Sequence, residues 1–292
     1  MIKRLVGRSY FASKQYQLFR MQLSQRRGLG APIVVFSMGK TGSTAIARAV
    51  QDATGHRVFQ IFRLEKDRLA QAEQRYLAGR KHAPASGPVA FPGALHLWES
   101  EHLLRNPPSV AAPWTVITTV REPIAQAVSA FFHGSTRRGL AAGASAEELT
   151  AELLADHWER APLRWFDREF APALGIDVFA HPFDPVAGHG VIETPTARVL
   201  LLRQENLDAA PAALAGFLGV GAPVPVGARN QASAKEYGDR YRDFLRDVRV
   251  PDPVLDEVYG SRYARHFYAD SELVRFRRRW RGGPNHSAEN SS

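Results

Sequence analysis

The sequence predicts one α/β domain in which helices flank a central, mostly parallel sheet. Apolar runs rich in β-branched residues, "PIVVFSM", "WTVITTV" and "ARVLLLR", recur along the chain and read as buried parallel strands. The stretches between them carry apolar residues at helical spacing, and strand–helix alternation is the pattern of a parallel sheet. With 292 residues, 45% hydrophobic and 23% charged, the chain suffices for one large core. No internal repeat and no domain-sized linker interrupts it.

Residues 1–30 form a basic leader, predicted to be helical, with seven Lys or Arg and no acid. It lacks the apolar stretch of a secretory signal, so it reads as retained and the protein as cytoplasmic. Leu5, Phe11, Tyr16, Leu18, Phe19, Met21 and Leu23 are interleaved with the cations. Two arrangements stay open: a helix packed on the domain with its cations outward, or peripheral contact with the anionic inner face of a membrane.

The α/β domain is predicted over residues 31–280. "PIVVFSM" is its first strand, and "STAIARAVQDAT" a helix stopped at Gly55. "HRVFQIF" reads as the next strand, "KDRLAQAEQRYLAGR" as a polar helix, and "KHAPASGPVAFPG" as a loop. "ALHLW" is expected to be a short strand and "ESEHLLR" a short helix. "WTVITTV" then leads through "REP" into the helix "IAQAVSAFFHG", with Pro123 near its first position. Residues 140–172 are expected to be helical, and "ARVLLLRQENL" is a further strand. The helix "AAPAALAGFLGV" ends at Gly219, and "VGARNQASAKEYGDRYRDFLRDV" runs from a loop into an amphipathic helix. The last helices cover "PDPVLDEVYGSRYARHFY" and "SELVRFRRRW", and residues 281–292 are predicted to be a disordered tail.

Composition excludes several classes. There is no cysteine, which removes disulfides, thiolate metal sites and a cysteine nucleophile. No apolar run reaches membrane-spanning length. The net charge of +9 is concentrated at the two ends. The nearly neutral middle argues against a nucleic-acid-binding face across the domain. The histidines show no metal-ligand spacing.

The informative stretch is "IVVFSMGKTGSTAIARAV", a strand, a Gly/Ser/Thr turn carrying Lys40, and a helix. A nucleotide-triphosphate loop would need Gly where Val34 stands, so the triphosphate pattern fails. What remains is a helix N-terminus at which the amides of Lys40, Thr41, Gly42, Ser43 and Thr44 could meet an anion, with hydroxyls and the Lys40 ammonium adding donors. A well-capped helix after a turn would read the same. A second strand, "TVITTV", delivers Arg121 at its carboxyl end, with Ser129 eight residues on. An arginine fork and a hydroxyl there could hold a second phosphate.

These motifs resemble those of sulfotransferases that use 3′-phosphoadenosine 5′-phosphosulfate. "GKTGST" is similar to the family's 5′-phosphosulfate loop, with Gly39 where many members have Pro, and "REPIAQAVSAFF" to its 3′-phosphate motif. "LLRQENLDAAPAALAGFLGV" resembles a late strand and helix of the family, and "LDEVYGSRYARHFYADSELVRFRRRW" the end of the bacterial branch labelled capsular polysaccharide synthesis proteins. The resemblance covers roughly residues 31–280. It implies a three-layer, P-loop-like fold and metal-free, in-line transfer of a sulfonyl group from the nucleotide co-substrate to a carbohydrate hydroxyl. Lys40 would then stabilise charge on the leaving phosphate.

The base that takes the acceptor proton is sought in "GALHLWESEHLL". His96 is the first candidate, since related enzymes often carry their base on this segment and an imidazole titrates near neutrality. A strand histidine satisfied by hydrogen bonds is the alternative, and Glu99 is the reserve base. Alternation would place His96, Trp98 and Ser100 on one face if the strand continues. "ARNQASAKE" supplies a candidate closing loop over the 3′-phosphate, with Lys235 as its cation. Two other functions stay in view: a kinase-like phosphotransferase, and a non-catalytic carbohydrate- or nucleotide-binding protein.

Overall fold

The computed structural model describes residues 9–27, 32–80, 91, 93–138, 144–157, 162–227 and 238–282. Those residues form a five-stranded sheet in the order β2-β1-β3-β5-β4. Strands β1 (Ile33–Phe36), β2 (Val58–Ile61), β3 (Trp114–Val120) and β5 (Ala197–Arg203) are parallel, whereas β4 (His189–Glu193) runs antiparallel to β5. The α/β class with a mostly parallel sheet is therefore as the alternation predicts. The apolar pattern does not mark strand β4. "HGVIE" has little apolar periodicity, and it pairs as the edge arm of a hairpin, His189 opposite Leu202 and Glu193 opposite Arg198.

Alternation along the strands divides the core in two. Val34, Phe36, Ile61, Val116, Val120, Val199 and Leu201 belong to the larger cluster. Helices α1 (Tyr10–Arg27), α4 (Leu95–Arg105), α5 (Pro123–Arg138) and α6 (Ala146–His157) pack into it. So do α9 (Gly238–Asp247), α10 (Asp252–Tyr259), α11 (Arg262–Phe267) and α12 (Asp270–Arg281). Ile33, Val35, Val58, Ile117, Leu200 and Leu202 face the smaller cluster, filled from α2 (Ser43–Thr54) by Ile46 and Val50. Leu214 and Phe217 of α8 (Ala210–Leu218) complete it, this last helix lying one short helix, α7 (Ala171–Leu174), further on from α6. Helix α3 (Lys66–Arg80) forms where the polar helix is expected.

One expected strand is a helix. "ALHLW" joins "ESEHLLR" in the single helix α4. A short apolar run does not distinguish strand from helix by periodicity, and here Ala94, Leu97, Trp98 and Leu103 turn inward at helical spacing. His96 therefore shares a face with Glu99 and Ser100, three and four residues on, rather than with Trp98. The Ser100 hydroxyl donates to the His96 carbonyl at 2.9 Å.

The leader's helix, α1, is docked on the domain. Tyr10, Leu18 and Met21 are buried. The Trp98 indole N–H donates to Tyr10 Oη at 3.0 Å, and Tyr10 donates to Glu73. Lys14, which the charge count would assign to a solvated face, lies 2.7 Å from Glu73 and 2.5 Å from Glu101. Leu18 and Met21 are thus committed to the core, while Phe11 and Phe19 stay outward, 69% and 63% exposed. No described helix is long and apolar enough to cross a membrane. A chain starting at Leu29 is expected to lose on the order of 3 kcal/mol of stability, since fully burying a large apolar side chain contributes about 1.5–3 kcal/mol. For a domain of this size that is a drop in Tm of roughly 10 °C. An unchanged melting curve would show α1 to be an appendage.

Candidate functional site

The parallel strands β1 and β3 are neighbours, with β2 outside one and β5 outside the other. The strand order thus reverses between β1 and β3, and ligands of open α/β sheets bind beyond the carboxyl ends of the strands at such a point. The two sequence motifs end there. After Phe36 the chain passes through Gly39 and Lys40 into α2, and after Val120 it passes through Arg121 and Glu122 into α5.

The turn after β1 is held from behind. The Thr41 hydroxyl donates to the Met38 carbonyl at 2.9 Å, Gln126 Nε2 of α5 donates to the Gly39 carbonyl at 2.7 Å, and Arg121 Nη1 donates to the Lys40 carbonyl at 3.0 Å. Three successive carbonyls are captured by side chains from the turn itself, α5 and the end of β3. The amides of Gly42, Ser43 and Thr44 have no protein acceptor among the described residues, while Ala45 and Ile46 already donate to the Gly42 carbonyl. Lys40 has φ 69° and Gly42 φ 84°. Lys40 is the one described non-glycine residue in the left-handed region. A Cβ on Gly42 would meet Leu207 Cδ1 at 3.1 Å, so its lack of a side chain is used twice. Donors turned outward at a helix N-terminus, beside a lysine and an arginine, fit a phosphate-bearing ligand.

The hydroxyls do other work. Thr41 is fully buried and lies 2.6 Å from Thr119 Oγ1 of β3, so its side chain pins the turn to the sheet. Ser43 and Thr44 both accept from Gln60 Nε2 of β2, at 3.2 and 2.9 Å. Ser129 sits two turns into α5, 4% exposed, without a hydrogen bond to the turn. Lys235 lies outside the described residues.

A cleft of about 960 Å³ opens beside the turn, between α2, β2 and α4. Thr44, Gln60, Arg57, His96 and Glu99 line it, and Ser24 of α1 contributes to its wall. Thr44 is the residue common to the turn after β1 and the cleft. His96 meets Phe62 edge to face, with ring centroids 5.2 Å apart, and its ring makes no hydrogen bond among the described residues. Burial, with the charge of Arg63 in the same direction, lowers its pKa to about 4, so the ring is neutral near pH 7. Glu99 accepts from the Gln60 amide at 3.0 Å and from Arg57 at 3.2 Å. Burial raises its pKa to about 7 against the opposing pull of those partners. His102, the other histidine of α4, is stacked on Phe59 in the core and does not reach the cleft lining.

Residues 146–269 match the family described as NKWYS, "Putative capsular polysaccharide synthesis protein". No curated protein and no solved structure matches the chain. The matched segment begins after both strand-end motifs. It carries β5, α10 and α11, which lock onto the end of β3, while α12, which supplies Trp280, lies beyond it.

That lock is the part of the site that sequence reasoning missed. Glu122 Oε1 accepts from the Ile124 amide and from Tyr259 Oη, both at 2.8 Å. Its Oε2 accepts from the Ala125 amide at 2.8 Å and from Trp280 Nε1 at 3.0 Å. The Glu122 amide in turn donates to Glu205 Oε1 at 2.7 Å, and Tyr268 Oη to Glu205 Oε2 at 3.2 Å. Arg203, 2% exposed, forks onto Glu272 at 2.5 and 3.0 Å and lies over the Tyr268 ring. The "REP" and "RQE" segments stood in the sequence as motifs, but their partners lie 63 to 158 residues away and carry no local signal.

Proposed function

We propose that the protein transfers a sulfonyl group from 3′-phosphoadenosine 5′-phosphosulfate to a hydroxyl of a cell-surface carbohydrate, on a P-loop-like three-layer fold. The likeness of residues 146–269 to a capsular polysaccharide synthesis family supports the carbohydrate setting. The observation that carries the nucleotide reading is the Arg121–Lys40 contact. It sets Arg121, from the end of β3, against the turn after β1 that carries Lys40, so both strand ends supply a cation at the border of one region.

When bound, the nucleotide supplies the sulfonyl group. The amides of Gly42, Ser43 and Thr44 would bind one anionic end, the Lys40 ammonium would stabilise charge developing there, and Arg121 would bind the other. His96, which lines the cleft and makes no ring hydrogen bond among the described residues, would take the proton from the acceptor hydroxyl. A kinase-like reading needs a strand-end carboxylate free to hold magnesium. Glu122 is the carboxylate at the end of β3, and its two oxygens already accept from four donors.

The test is a thermal-shift panel. 3′-Phosphoadenosine 5′-phosphate without added metal should raise Tm, by an amount that grows with its concentration. A shift with ATP and magnesium alone would overturn the proposal in favour of phosphoryl transfer. Arg121→Ala should weaken binding of 3′-phosphoadenosine 5′-phosphate by about tenfold or more, the loss of one charge-assisted contact. Adenosine 5′-phosphosulfate, which lacks the 3′-phosphate, should be barely affected. Equal weakening of both ligands in calorimetry would remove Arg121 from the second anion site.

A further inference from the structure

We infer that Tyr263 is a positioning residue for Arg121: its hydroxyl fixes the backbone from which the guanidinium reaches the phosphate turn. The inference rests on the reading of Arg121 as the ligand of the second anion.

Strand β3 makes its last ladder pair at Val120, opposite Arg203. Arg121 therefore leaves the sheet with both of its backbone polar groups needing partners in a largely buried place. One side chain serves both. Tyr263 Oη accepts from the Arg121 amide at 3.2 Å and donates to the Arg121 carbonyl at 3.0 Å. Tyr263 lies on α11, 142 residues away in sequence, and is 1% exposed. Its ring is fixed by Phe267, with centroids 5.0 Å apart, and by Phe166 at 6.2 Å.

The next residue is held independently. The Glu122 amide is taken by Glu205, and Pro123 restricts Glu122 to extended backbone. Freedom created by removing the Tyr263 hydroxyl is thus confined to Arg121. The guanidinium sits at the end of that residue's side chain and makes a single bond to the turn, at the Lys40 carbonyl. A small rotation of the Arg121 backbone moves it off that carbonyl, while the turn keeps its hold from Gln126 and Thr41. The first anion site should therefore survive a change that blurs the second. Through this contact the C-terminal helices take part in the choice of ligand without touching it.

Tyr263→Phe keeps the ring and removes the oxygen. Calorimetry with 3′-phosphoadenosine 5′-phosphate and with AMP, on the full chain below its melting temperature, gives the affinity ratio between a ligand with two anionic ends and a ligand with one. A general loss of stability leaves that ratio alone. We expect Tyr263→Phe to lower the ratio by about tenfold, one hydrogen-bonding group's worth. On an Arg121→Ala background it should lower the ratio no further, because the two changes act through one group. A wild-type ratio retained in Tyr263→Phe, or an additive loss in the double variant, overturns the inference while leaving the function proposed above intact. A wild-type protein that binds both ligands equally overturns the second-anion reading and this inference with it.

Discussion

Lys40→Ala is expected to lower turnover by roughly 10²–10³-fold, the range for removing a preorganised donor from developing charge, and to affect donor affinity less. The residue's backbone is the reason to single it out. Lys40 is held at φ 69°, a conformation that costs a non-glycine residue about 1–3 kcal/mol. Glycine would adopt it without steric cost; Gly39 directly precedes Lys40, and Gly42 follows after Thr41. A lysine in such a place points to a use for its side chain that offsets the strain. Lys40→Gly removes the steric strain together with the ammonium, and it should lose turnover as Lys40→Ala does. The split between kcat and KM decides the role. Near-normal turnover with only a raised donor KM would make Lys40 a binding residue alone.

How much of this was legible in the sequence varies by residue for physical reasons. The turn after β1 was, since the apolar period changes from strand to helix across a Gly/Ser/Thr segment with one lysine. The end of β3 was, since "WTVITTV" is too β-branched and apolar to be other than a buried strand. The division of labour among the hydroxyls was not. Thr41 and Ser43 look alike as donors to an anion, yet Thr41 faces the sheet and bonds Thr119, a choice set by packing between strands 78 residues apart. The sequence puts His96 on a strand because a short apolar run hides its period. The backbone settles it: the Trp98 amide donates to the Ala94 carbonyl at 3.1 Å, and the helix begins at Leu95. The tyrosines of α10 and α11 resemble ordinary core aromatics until their hydroxyls are traced to Glu122 and Arg121.

His96→Ala should lower kcat by about 10²–10⁴-fold, the usual contribution of a positioned general base, and the pH profile tells whether it or Glu99 acts. The two residues lie one helical turn apart on the lining of one cleft, yet burial moves them in opposite directions. His96 is lowered to about 4 from 6.5, so the folded protein binds fewer protons there than the unfolded chain between those values. Its stability contribution is complete above the unfolded value and is lost as pH falls through the folded one. Glu99 is raised to about 7 from 4.5, so stability tied to it is present below the lower value and is lost as pH rises through the higher. For activity, a base with the pKa of His96 is already deprotonated at neutrality, and kcat/KM should be level from about pH 6 to 8. Glu99→Gln should keep that plateau, with turnover within about tenfold of the parent, because the amide retains the shape and an acceptor for the Gln60 amide. An acid limb near pH 7 in the parent, absent in Glu99→Gln, would transfer the role to Glu99. His96 would then be the neutral ring that keeps water from the carboxyl group.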